Sequence, residues 1–516
     1  MSDFESIPRR CYDVLRVPMR DDSCIGPLIH EIAPANNNQA GLNNGQNLKF
    51  NYSGDGKVIS LDPYRTGFRV RAAFKTRSAP AVGTNMNYNK DANITFSSGW
   101  FWHLFSTYKL KVANKDTVEN ISYPGVLADT MNLFKGSEYK NTYGELHGYI
   151  PDEGNGDADA TPDIGAKCSV KKSDVAAITA ATDDTGAGTK AFDIAMNTAK
   201  WMNYNKGFIK RMARYNYEVT NDDDVRYIEE FVPLSQISGF FSTGTSLVNT
   251  NFDITLTRKP QHGYKNSFFG SGNTDVDFGH STDTGLLSVI LELVEQKPNL
   301  KIEAELAATF ENSDKTPIPI SFLKATVDGV YQINMEQRYT ISDNSHHIPR
   351  YLMLVLKGIN DPSDGAADNN AANQSNSCNK NYSLNAHANL ESVQVRINGQ
   401  EFPNMLQDAD IMKNQFSKFY QQYVDVCTSM DQDPCLTMNE FRDNYFVAAF
   451  DCSDQTKKES TKTTNLQVKI KRRDMPGTNA DRKNPKFLEG YLIVLEDQFL
   501  KLNAKSGTCE VFSQVA

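Results

Sequence analysis

The sequence predicts an all-β protein built as two tandem β-sandwiches, and three observations carry that expectation. Short segments in which apolar and polar residues alternate, bounded by Gly, Asn, Asp and Pro, recur along the whole chain, as strands with one buried face require. Two long stretches repeat one plan. "RYIEEFVPLSQISGFFSTGTSLVNTNFDITLTRKP" at 226–260 and "NYFVAAFDCSDQTKKESTKTTNLQVKIKRRD" at 444–474 each open on a Tyr-led run of aromatic and β-branched residues. Each then crosses a polar loop and closes on Thr-Asn, an alternating strand and a basic pair. Finally, 516 residues exceed one ordinary core, so a duplicated domain accounts for both the length and the repeat. Two packed sheets manage exposed strand edges at this size, and a jelly roll does so with eight strands.

In chain order, "KVISLDPYRTGFRVRAAFK" and "TYKLKVANK" read as strands. A helix follows in "YPGVLADTMNLFKGSEY", where Val126, Leu127, Met131 and Phe134 share one side between the start and stop signals Pro124 and Gly136. An acidic insertion rich in Gly and Ala, about 151–200, precedes the Tyr-led strand and "FDITLTRKP". The joint is placed near His280–Gly285, where "GHSTDTG" precedes a new strand, giving domains of 1–284 and 285–516. In the second, "LLSVILELVEQ", "LKIEAELAATF" and "RYLMLVLKGIN" lead past a polar loop at 361–383 to "ESVQVRINGQEF". A helix in "LQDADIMKNQFSKFYQQYVDV" carries Leu406, Ile411, Met412, Phe416, Phe419, Tyr420 and Tyr423 at helical spacing. The Tyr-led strand, "LQVKIKRR" and "GYLIVLEDQFLKL" close the chain's second copy of the order strand, turn, helix, strand, loop, strand.

A net charge of -9 opposes a protein that coats nucleic acid over its whole surface. No run approaches the roughly 20 apolar residues of a membrane span. The start, "MSDFESIPRRCYDV", carries charges where a signal peptide needs an apolar core, so the expected place of synthesis is the cytoplasm or nucleus of a cell. The eight cysteines are scattered without a CxxC pair and read as thiols.

Catalytic constellations are sparse. The pair His346-His347 lacks further ligands at metal-binding spacing. Asp152, Asn155, Asp157, Asp159 and Asp163 offer oxygens but fail the EF-hand template, so a solvated loop is expected. "GFFSTGTS" and "FFGSGNTD" lack the Lys-Ser/Thr of a phosphate loop. Trp100, Phe101, Trp102, Leu104 and Phe105 suit core packing better than a sugar-stacking platform. Two basic runs remain, Lys206, Lys210, Arg211 and Arg214, and Lys469, Lys471, Arg472, Arg473, Arg482, Lys483 and Lys486. They read as solvated strand ends, with salt-dependent contact to DNA as the functional counterpart. No catalytic, cofactor-binding or metal residue is assigned, no cofactor is expected, and the protein is not expected to be an enzyme.

The segment "FSSGWFWHLFSTYKLKVANKDTVENISYPGVLADTMNLFKGSEYKN" resembles the strand, turn, Tyr-Pro and helix of major capsid proteins of the Polinton (Maverick) and adintovirus group, in the adenovirus hexon-like lineage. "LESVQVRINGQEFPNMLQDADIMKNQFSKFYQQYVDV", "LTMNEFRDNYFVAAFDCSD" and the closing "FLEGYLIVLEDQFLKLN" are similar to that family's later strands and helix, in register from about Leu61 to Leu502. The resemblance implies a double jelly roll that forms pseudo-hexagonal homotrimeric capsomers of an icosahedral shell around double-stranded DNA. It implies neighbouring capsomers and minor capsid or penton proteins as partners. The implied location is the virion, with assembly inside the host cell, in nucleus or cytoplasm. The chain ends "MSDFESIPRR" and "CEVFSQVA" are then expected to act as arms that order on assembly. The alternative is a β-sandwich protein that binds or hydrolyses glycans, which requires paired carboxylates beside an aromatic platform.

Overall fold

The computed structural model describes residues 24–36, 47–153, 205–358, 381–453, 464–473 and 488–512, with short breaks inside these runs. The insertion beyond Glu153, most of the 361–383 loop and the N-terminal arm lie outside the described residues.

Eight strands form a first set: β1 (Cys24–Ile32), β2 (Asn47–Tyr52), β3 (Gly67–Ser78), β4 (Phe105–Val112), β5 (Thr117–Ser122), β6 (Arg226–Pro233), β7 (Phe252–Arg258) and β8 (Gly285–Pro298). They pair antiparallel in two sheets, β1-β8-β3-β6 and β2-β7-β4-β5. The second set is β9 (Ile318–Gln332), β10 (Arg338–His346), β11 (Pro349–Gly358), β12 (Leu390–Ile397), β13 (Gln400–Phe402), β14 (Ala448–Asp451), β15 (Thr464–Arg472) and β16 (Leu488–Asn503). Its sheets are β9-β16-β11-β14 and β10-β15-β12-β13. The two orders are the same strand for strand. Eight antiparallel strands so arranged are a jelly roll, and the chain is an all-β double jelly roll with short helices in its connections.

The duplicated stretches in the sequence are strands six and seven of each set, and the Thr-Asn they share has one structural role. Ala113 and Asn398, just beyond β4 and β12, both take left-handed backbone, at φ 57 and φ 51. Each donates its backbone N–H to the carbonyl of the Asn in the Thr-Asn pair, Ala113 to Asn251 at 2.7 Å and Asn398 to Asn465 at 2.8 Å. In the second set Asn398-Gly399, with both φ positive, is the tight hairpin turn between β12 and β13. β7 and β15 then alternate buried residues with half-buried or, at Asn465, exposed ones, as their sequences require.

β8 begins at Gly285, where the sequence placed the start of the second half, yet it pairs with β1 and β3. The hydrogen-bonded first jelly roll therefore runs through Pro298, and the chain passes to the second between Pro298 and Ile318. Alternation marks a strand but carries no mark of the sheet it joins.

The helices occupy corresponding connections. Between β5 and β6 lie α2 (Pro124–Leu133), α3 (Ser137–Thr142) and α4 (Lys206–Tyr215), while α1 (Trp100–His103) leads into β4. Between β13 and β14 lie α5 (Ser417–Ser429) and α6 (Met438–Asp443). The expected first helix is split, ending at Leu133 and restarting after Gly136. α2 is buried on nearly every side, Met131 excepted, as a helix wedged between two layers must be. α5 buries only Phe419, Tyr423, Val426 and Cys427, and α6 starts on a Thr437–Glu440 capping box. Cys427, Cys435 and Cys452 are free thiols. The expected C-terminal arm is tied to its own chain in part, since Thr508–Phe512 pairs with Phe499–Asn503 of β16.

Candidate assembly surfaces

The two jelly rolls meet along a seam built by α2, β5 and the turn at 234–242 from the first, and by β9, β11 and α5 from the second. β5 lies against β9. Phe240 meets Phe322 edge-to-face at 5.8 Å, and Tyr123 meets Tyr491 at 5.4 Å. Tyr423 and Cys435 both reach the Leu133 carbonyl at the end of α2, at 2.8 and 3.3 Å. The approach at Gly239 is so close that a Cβ there would stand 1.8 Å from the Leu323 carbonyl oxygen.

The seam buries charge. Asp129 of α2 accepts from His103 Nε2 at 2.9 Å and from Lys357 Nζ of β11 at 3.4 Å. Lys357 also donates to the Tyr382 carbonyl at 2.5 Å. Burial lowers the pKa of His103 and of Lys357, against the pull of the Asp129 carboxylate. Burial thus favours the neutral imidazole as the donor to the carboxylate, and Lys357 supplies a second, longer contact from the other jelly roll. Gly125 permits this contact, because a Cβ there would lie 2.5 Å from His103 Nδ1. On β5, burial raises the Glu119 carboxyl to about 7, despite hydrogen bonds from Ser238 and Phe240 and the nearby Lys324 of β9.

A second buried node stands where the long loops leave the fold. Asp152 accepts from Arg211 and Asn205, both at 2.6 Å, from Asn381 at 2.7 Å and from Ser383 at 3.0 Å. Its backbone N–H donates to the Tyr445 hydroxyl at 2.6 Å. The residues that flank the 154–204 segment and those that follow the 359–380 segment therefore converge on one carboxylate.

Outside the seam, β1 is hydrogen-bonded on one side only among the described strands, to β8. Its Leu28 and Ile29 are 53 % and 64 % exposed. In β9, the equivalent strand of the second set, Phe322 is buried under the first jelly roll. β13, the equivalent of β5, likewise pairs on one side only among the described strands, with β12. Among the described residues the chain thus covers one β5-type strand with one β9-type strand, and leaves β1 and β13 without their counterparts.

The residues singled out in the sequence separate clearly. Trp100, Phe101, Trp102, Leu104 and Phe105 are all core, with Trp100 and Trp102 donating to Glu230 at 2.6 Å and Gln236 at 2.7 Å. They offer no face to a sugar. Asp152, expected in a solvated loop, is buried; Asn155, Asp157, Asp159 and Asp163 lie outside the described residues. His346 ends β10 opposite Thr464, and His347 lies outside the described residues. No group of three or more His, Cys, Asp or Glu gathers as a metal site among the described residues.

The basic runs spend much of their charge inside the fold. Arg211 is buried on Asp152, and Arg214 reaches the Glu145 carbonyl at 3.0 Å. Lys471 pairs with Glu391, Arg472 is buried against the Ala388 carbonyl at 3.1 Å, and Arg473 reaches Asp408 at 3.3 Å. Lys206 and Lys210 remain exposed. Arg482, Lys483 and Lys486 lie outside the described residues. Among the described residues no helix is long and apolar enough to cross a membrane.

No family model matches the sequence, and no curated protein matches it. Solved structures do match in fold. A chain from the cryo-EM structure of the Sputnik virophage superposes with a TM-score of 0.58 at 12 % identity, covering 97 % of this chain and 91 % of that one. The mavirus major capsid protein superposes with a TM-score of 0.50 at 11 % identity, covering 97 % and 93 %. The chain shares the double-jelly-roll fold of these viral proteins over nearly its full length.

Proposed function

We propose that the protein is the major capsid protein of a double-stranded DNA virus of the Polinton–adintovirus kind, with a structural rather than catalytic role. Three copies form a pseudo-hexagonal capsomer, and capsomers together with minor capsid or penton proteins enclose the genome in the virion. The observation that carries this reading is the pair of uncovered strands, β1 with exposed Leu28 and Ile29, and β13. Within the chain β5 covers β9. A second copy that sets its β13 against β1 repeats the same contact between the other two equivalents. Such a head-to-tail contact is heterologous and closes into a ring when the rotation permits. Three chains of two jelly rolls give six similar sides. The full-length likeness to the mavirus protein, a major capsid protein by name, supports the reading.

The test is the solution mass of the purified chain by light scattering after size exclusion, with negative-stain images of the same peak. The expected result is a species near three times 57.7 kDa with a hexagonal outline. A chain that stays at 57.7 kDa over the full concentration range overturns the trimer.

A further inference from the structure

Between α3 and the C-terminal end of α5 the seam opens into a cleft of about 550 Å³, within the range of small-ligand sites and at the domain junction where such sites gather. One wall is aromatic. Tyr64 and Tyr143 lie nearly parallel, with centroids 4.6 Å apart and planes 12° apart, and buried His147 packs behind both, 6.5 Å from Tyr64 and 5.6 Å from Tyr143. The two tyrosines are 42 % and 40 % exposed. The facing wall is the turn after α5, with Asp431, Gln432 and Asp433, and Glu138 of α3 stands at the rim.

The cleft is built rather than incidental. The Gln432 side-chain carbonyl accepts the Gly136 N–H at 3.0 Å across the seam, and the Gln432 N–H is held by the Cys427 carbonyl at 2.9 Å. That leaves the Gln432 amide N–H₂ as a donor on the turn that also carries Asp431 and Asp433. Neither these carboxylates nor Glu138 makes an ion pair among the described residues.

We propose that this cleft binds a neutral saccharide of one or two rings. A sugar ring packs its C–H face on an aromatic ring, as half-exposed Tyr143 provides, and its hydroxyls both donate and accept. The carboxylates take the hydroxyl protons, and the Gln432 amide gives a hydrogen bond to a ring or hydroxyl oxygen. A purely cationic guest has no use for that donor. Acidic sugars are repelled by three carboxylates around one opening. The site belongs to the single chain and is independent of the proposed assembly.

The test is saturation-transfer NMR and calorimetric titration of the full chain with lactose, maltose and diacetylchitobiose, with 3′-sialyllactose and spermidine as comparators. At least one neutral disaccharide is expected to bind, with a dissociation constant of about 1 mM or tighter. Tyr143→Ala and Asp433→Asn should each weaken it by about tenfold, with an unchanged melting temperature. Should Tyr143→Ala unfold the chain, Asp433→Asn on the exposed turn decides alone. Silence from all three neutral sugars, binding indifferent to the substitution, or a preference for spermidine or the sialylated sugar overturns the proposal.

Discussion

The Asp129 carboxylate of the first jelly roll lies 3.4 Å from the Lys357 ammonium of the second, and both groups are buried. Neither has water to fall back on, so the pair ties the jelly rolls together by the cost of parting them. Asp129→Asn is expected to destabilise the chain by about 3 kcal/mol or more, because it strands a buried ammonium. Lys357→Met in the same chain should return most of that loss. Urea unfolding of the two single variants and the double variant measures the coupling, and additive losses would contradict it.

Glu119 gives the seam a pH dependence. Its folded pKa of about 7 lies above the ordinary carboxyl value of 4.5, so the folded state holds the proton more tightly than the unfolded chain. Its contribution is therefore most favourable below the unfolded pKa and is lost as pH rises through 7. Between pH 5.5 and 7.5 the loss is about 2 kcal/mol. Thermal melts at the two pH values should show wild type falling relative to Glu119→Gln by this amount as pH rises. Parallel pH profiles would contradict the assignment.

Gly239 sets the distance between the jelly rolls. Its backbone is ordinary, but a methyl group there meets the Leu323 carbonyl at 1.8 Å. Gly239→Ala is expected to cost about 3 kcal/mol through forced separation, with faster amide exchange along β9 than elsewhere in the second jelly roll. Unchanged exchange in β9 would mean that the seam yields without opening.

Ile29 is 64 % exposed in the single chain. Ile29→Lys should therefore leave the melting temperature of the monomer nearly unchanged, within about 0.5 kcal/mol of stability, while abolishing the trimer. Light scattering reads the difference. A trimer that survives the lysine moves the interface away from β1.

Much of this fold is written in local pattern. The Tyr-led strands and the Thr-Asn strands are legible in the sequence and fall on corresponding strands of the two jelly rolls. The two connection helices are legible in place but not in pattern: α2 is buried on every side except at Met131, and the second begins only at Ser417, after Ile411, Met412 and Phe416. The joint is not legible, because β8 alternates like any strand and only its partners β1 and β3 assign it. The seam was equally silent. Asp129 and Lys357 stand 228 positions apart, and neither is marked by its neighbours. Asp152 sits in a run of acids and glycines that reads as solvent-facing, while its partners come from 205, 211, 381, 383 and 445. Arg211 and Arg472 look like surface charge for the same reason: burial of a cation is decided by a carboxylate or carbonyl distant in sequence.

The Asp152 node also fixes where foreign sequence belongs. A peptide spliced into the 154–204 segment and another spliced into the 359–380 segment would leave the scaffold from neighbouring anchor points, on one shared carboxylate. Two such grafts on one chain would act as a single bipartite epitope. If three chains close into the proposed ring, that epitope would repeat three times around a common axis, suited to antigens that must be seen in pairs.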